Sequence, residues 1–188
     1  MNRMTIIASL SALMFSAIGA FWFAAEYART ARIGEYTAPG VLPMSAEAVA
    51  GDPEPLAAAL LLAVYEAFGK TDEAAIYDGL ARVADGDALE QLYLERAGAV
   101  AESGLTSSQS IHEMRIIGIE TRYAGEGLEM AAQWQVIGSV EHGEHAHVRG
   151  NAYSADLRIE PVAGAWRITG FDLRDVDRTQ AGVPVPQS

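Results

Sequence analysis

Two alternating runs flanking Gly143-Glu144 constrain this chain more than any other feature, because together they lock a hairpin register. Leu128, Met130, Ala132, Trp134, Val136, Gly138 and Val140 alternate with polar residues on one side. Tyr153, Ala155, Leu157 and Ile159 alternate with Ser154, Asp156, Arg158 and Glu160 on the other. Both read as half-buried antiparallel strands. A two-residue turn at Gly143-Glu144, with glycine first, pairs His142 with His145. It then sets Trp134 against Tyr153, Ala132 against Ala155, Met130 against Leu157 and Leu128 against Ile159. A slip of one residue would turn every one of these side chains to the wrong face.

The same parity carries His142, His145, His147, Arg149 and Asn151 on the apolar face. That face therefore grades from hydrocarbon at one end to imidazole, guanidinium and amide at the other. Cross-strand partners stand about 5 Å apart at Cβ, so His142 and His145 are spaced to share a metal, with His147 two residues along as a third nitrogen for Zn²⁺ or Cu²⁺. The competing reading is a polar hairpin end with solvated histidines and no cofactor. Arg149 and Asn151 beside Trp134 and Tyr153 have the composition of a site for a carboxylate or amide ligand. Against that, Arg149 has acidic partners available on a covering helix, Asp78 or Glu95. His112 stands alone and reads as solvated, as do Asp72 and Asp78. No Gly-rich phosphate loop, His-Glu-x-x-His, Gly-x-Ser-x-Gly or Cys-x-x-Cys occurs in the chain, and no catalytic set emerges.

From Met4 to Ala25 the chain is apolar and uncharged, long enough to span a bilayer core. Phe21-Trp22-Phe23 and Tyr27 suit an interfacial anchor, whereas Ala17 and Gly19 allow a cleaved signal peptide. The anchored reading predicts a single-pass inner-membrane protein with a periplasmic domain. Beyond residue 32 the chain holds 10 basic and 24 acidic residues. A domain this acidic repels phosphate backbones, which excludes nucleic acid as a partner. The absence of cysteine excludes disulfides, thiolate metal sites and thiol catalysis.

Residues 1–32 thus read as an anchor with its flank and residues 33–54, mixing Gly, Pro and acids, as a flexible tether. A folded domain spans 55–176, followed by a disordered or extended tail at 177–188. Within the domain, residues 56–68 predict a buried helix with Pro55 in its first turn and Gly69 at its end. Asp72 caps a second helix with Ile76, Leu80 and Val83 turned inward. Asp87 and Glu90 have capping-box spacing for a third, with Leu89, Leu92, Tyr93 and Val100 as its stripe. The period then changes from 3.6 to 2. A strand over 111–123 shifts face near Ile116-Ile117, predicting a bulge. A turn at Ala163-Gly164 places Trp166 and Ile168 opposite Pro161 and Ile159. The predicted architecture is α+β: a transmembrane helix, then three helices packed on a curved four-stranded antiparallel sheet.

This order of elements resembles the cone-shaped NTF2-like superfamily, in particular its membrane-tethered members of the VirB8 and Tim44 type. The stretches Ala63-Val-Tyr-Glu-Ala-Phe, Asp72-Glu-Ala-Ala-Ile-Tyr-Asp and Val140-Glu-His-Gly-Glu-His-Ala-His are similar to ones in bacterial membrane-associated proteins of this shape. The resemblance implies a membrane-anchored extracytoplasmic accessory or assembly subunit with a protein-interaction domain. Its partners would be the bilayer, through Met4 to Ala25, and other membrane or periplasmic proteins. An alternative from another class is a small-molecule- or metal-binding domain, or a catalytic one. It would use the cone pocket with His142, His145, His147 and Arg149.

Overall fold

The computed structural model describes residues 34–103, 109–142 and 145–184. Along them run β1 (Glu35–Ala38), β2 (Val41–Ser45), α1 (Ala46–Gly51), α2 (Glu54–Phe68), α3 (Glu73–Ala81) and α4 (Gly86–Ser103). The strands β3 (Gln109–Ala124), β4 (Gly127–His142), β5 (His145–Val162) and β6 (Ala165–Pro184) complete the set. Local chemistry starts the helices. Ser45 Oγ accepts from Ala48 N at 3.2 Å to cap α1, Asp72 Oδ1 accepts from Ala75 N at 2.8 Å to cap α3, and proline occupies the first turn of α2.

The six strands form one sheet in the order β2-β1-β6-β5-β4-β3. Strands β3 to β6 are an antiparallel meander, and β4–β5 has the register read from the sequence, from Leu128 opposite Ile159 to His142 opposite His145. The turn residues Gly143 and Glu144 lie outside the described residues. The bulge expected near Ile116-Ile117 falls at Ile117, since Ile116 faces Trp134 while Gly118 faces Gln133. A second bulge at His112 has no counterpart in the sequence reading. At the β5–β6 turn Ala163 (φ 51°) and Gly164 (φ 82°) are both left-handed, as a type I′ hairpin requires.

The four-stranded, three-helix architecture is corrected at its N-terminal side. Residues 35–51, read as tether, form β1, β2 and α1. Pro39-Gly40 reverses the β1–β2 hairpin, with Gly40 at φ 74° as a type II turn needs. β1 joins β6 in parallel at Thr37 and Ala165, so the sheet is mixed. Thr37 N donates to Gly164 O at 3.1 Å, and the Trp166 indole donates to Met44 O at 3.0 Å while meeting Tyr36 edge-on. An aromatic donor buried in β6 needs an acceptor, and the supposed tether supplies it. At the other end, β6 continues past residue 176 to Pro184.

The membrane assignments are also corrected. The expected span from Met4 to Ala25 lies outside the described residues, and among those described no helix is long and apolar enough to cross a membrane. The transmembrane, signal-anchor and single-pass inner-membrane readings therefore have no support among the described residues.

All helices lie on one face. Leu56, Leu60, Leu61 and Val64 of α2, Ile76 and Leu80 of α3, and Leu92 of α4 are buried with Leu128, Met130, Trp134, Leu157, Ile159, Trp166 and Ile168 of the sheet. The link between α3 and α4 adds a short parallel bridge. Ile168 N donates to Val83 O at 2.8 Å, and Asp85 N to Ile168 O at 3.0 Å. Beyond the end of β1, this link satisfies the outer main-chain groups of β6 at Ile168.

Candidate functional site

The helix-facing side of the sheet ends in an aromatic cluster built by three elements. Trp134 of β4 and Tyr153 of β5 are cross-strand partners, and their rings stack at 5.5 Å with an interplanar angle of 14°. Tyr65, one turn from the end of α2, closes over them. It stands 6.2 Å from Tyr153 and 6.1 Å from Phe68, which meets it edge-on. The Trp134 indole N–H donates to the Tyr65 hydroxyl at 2.9 Å, and Asn151 Nδ2 donates to the Tyr153 hydroxyl at 3.1 Å. Trp134 is only 2% exposed, so its single donor has no access to water and depends on Tyr65.

Burial, then the neighbouring Tyr153, pushes the Tyr65 phenol above its ordinary range, while the indole donor acts in the opposite sense. Tyr65 is thus held neutral as a hydrogen-bond acceptor. Among the described residues no polar or charged side chain is fully buried.

Of the residues nominated as a ligand site, the structure brings together Trp134, Asn151 and Tyr153. The sequence reading missed Tyr65. A hydroxyl on an otherwise apolar helix must find a partner, and that signal was available at Tyr65 and Phe68, three residues apart on one face. The unbroken β4–β5 register sets positions 142, 145, 147, 149, 151 and 153 at same-face parity. It places Arg149 opposite Gly138 and His147 opposite Val140. The side chains of His142, His145, His147 and Arg149 lie outside the described residues. Among those described, no group of three His, Cys, Asp or Glu is placed to hold a metal ion, so the metal-binding expectation has no support among them. His112 is exposed, with Nε2 3.1 Å from Ser139 Oγ. Asp72 is the α3 cap, and Asp78 and Glu95 are exposed on their helices.

Charge is divided between the two layers. Residues 46–103 carry twelve acidic and three basic side chains. Among the described residues the ion pairs lie on the sheet, where Arg115 meets Glu113, Arg122 and Arg158 both meet Glu129, and Arg174 meets Asp156. On α3, Glu73 and Tyr77 share a helix face; on α4, Asp87, Glu90 and Leu94 do. Tyr77 is 48% and Leu94 58% exposed. The two helices are joined by an edge-on contact of Tyr77 and Tyr93 at 6.0 Å, and the Tyr93 hydroxyl donates to Glu73.

No protein-family model matches the chain, and no curated protein matches it. Among solved structures it is similar to the intermembrane-space region of the chloroplast protein ARC6, at 17% identity and a TM-score of 0.45, covering 64% of this chain and 95% of that one. The NTF2-like resemblance of the sequence gains no support from these comparisons.

Proposed function

We propose that this chain is an accessory protein-interaction domain whose acidic helical face docks a polypeptide of basic character. One observation carries the reading. The helix layer holds a large excess of carboxylates without ion-pair partners among the described residues, and Tyr77 and Leu94 are exposed in their midst. Aromatic and aliphatic anchors inside a rim of one charge sign are the composition of a docking surface, and the charge steers a basic partner toward it. The arrangement on the opposite side of the helices supports the same reading. There the polar groups of Tyr65, Trp134, Tyr153 and Asn151 are spent on one another.

Site-specific photo-crosslinking in the native host tests it. A benzophenone side chain at position 77 or 94 is expected to give a discrete adduct, whereas the same probe at Thr169 on the sheet gives none. Asp87→Lys with Glu90→Lys should reduce the adduct several-fold without altering the circular-dichroism spectrum. Equal labelling at all three positions, or an adduct indifferent to charge reversal, overturns the proposal.

A further inference from the structure

Among the described residues the sheet ends on β3, whose one strand neighbour there is β4. Over its 16 residues β3 therefore carries a row of main-chain donors and acceptors unpaired by any described strand on its outer side. In a strongly acidic chain this edge is balanced, with two glutamates, Glu113 and Glu120, and two arginines, Arg115 and Arg122. We propose that β3 is a self-recognition edge, through which two copies of this chain pair antiparallel about a dyad between Ile117 and Gly118.

The bulge makes the register specific. An antiparallel pair related by a dyad keeps each side chain on its own face of the joined sheet, so opposed residues must share a face. Before the bulge, Met114 and Ile116 lie opposite Val136 and Trp134, on the helix-covered face, while Glu113 and Arg115 take the outer face. After it the parity is reversed. Ile119 and Thr121 lie opposite Ala132 and Met130, on the covered face, while Glu120 and Arg122 turn outward. A straight strand would pair with itself at positions of equal parity. This one matches its faces only when a residue before the bulge meets one of opposite parity after it.

Charge then selects among the registers that remain. With the dyad between Ile117 and Gly118, Glu113 faces Arg122, Arg115 faces Glu120, Met114 faces Thr121 and Ile116 faces Ile119. Symmetry repeats each pair. Moving the dyad by one residue in one direction sets Glu113 against Glu120, and in the other Arg115 against Arg122. Like charges directly opposed on a ladder are unfavourable, so both neighbouring registers are disfavoured. Within one protomer Arg115 already meets Glu113, and Arg122 already meets Glu129. Glu120 forms no ion pair among the described residues and would gain one from the partner's Arg115. Ile117, 58% exposed at the bulge, would be covered at the dyad. Two six-stranded sheets would become one continuous sheet with its helices on a common side. This surface is separate from the acidic helical face, so either proposal can fail without the other.

Sedimentation equilibrium of the full chain tests the pairing through two charge reversals. Wild type is expected to be a dimer. Arg115→Glu and Glu120→Arg should each weaken self-association by about tenfold or more, because each opposes like charges twice across the dyad. An equimolar mixture of the two variants should recover the dimer, since every opposed pair in the mixed species is again complementary. The chain contains no cysteine, so engineered thiols report cleanly. Arg115→Cys mixed with Glu120→Cys should form a disulfide-linked dimer under mild oxidation, and neither variant alone should do so. A monomeric wild type, a mixture that fails to recover the dimer, or thiols that couple equally well without mixing would overturn the proposal.

Discussion

At the scale of single residues, the most consequential contact is the one between Trp134 and Tyr65. The indole N–H is cut off from water, and the Tyr65 hydroxyl is its acceptor. Tyr65→Phe keeps the ring and removes the acceptor, which leaves a buried donor unsatisfied. The expected loss is about 1–3 kcal/mol in chemical denaturation. In a Trp134→Phe background the same change should cost much less, because the orphaned donor is gone. A double-mutant cycle that sums without coupling would show that the contact contributes nothing. Tyr65 also sets a pH dependence. Its phenol is raised in the folded state, chiefly by burial, so folding favours the protonated form. This stability is fully present below the unfolded-state value near 10 and is lost as pH rises above it, because the unfolded chain then releases the proton more readily. Wild type should lose stability above about pH 10 more steeply than Tyr65→Phe does, as thermal melts across the alkaline range would show.

At the scale of elements, α2 and α3 approach closely at Gly79. A Cβ built there would stand 2.8 Å from Ala67 Cβ and 3.1 Å from Lys70 Nζ. The lysine end can move aside, but Ala67 belongs to the packed face of α2. Gly79→Leu is expected to wedge the helices apart at a cost of about 1–3 kcal/mol, measured as a lower denaturation midpoint. Gly79→Ser, smaller and able to turn its hydroxyl outward, should cost less; equal losses would count against a steric origin. The sequence indicated the existence of these helices and their caps, because Asp72 and Pro55 act on their own neighbours. It did not indicate the close approach, since a glycine within a helix looks the same whether another helix touches it or not.

For the whole molecule, the decisive feature is that residues 35–51 belong to the folded sheet rather than to a tether. Hydrogen exchange should show it. The Thr37 amide, bonded to Gly164 O, is expected to exchange on the timescale of the β5–β6 ladder, whereas a tether would exchange within the dead time. The sequence alone determined the meander and the β4–β5 register, because a period of two admits one alignment of four apolar pairs. It also determined the Ile117 bulge, through the change of face beside it. It left the N-terminal hairpin unread. Tyr36 and Met44 make sense only against Trp166, more than a hundred residues away, and β1 joins the sheet in parallel, which no local turn announces. The candidate site divided the same way: Trp134, Asn151 and Tyr153 were legible from strand parity, a local property. Tyr65 entered only through the docking of a helix onto the sheet, and which side chains meet across two layers is decided by tertiary packing rather than by the period of either.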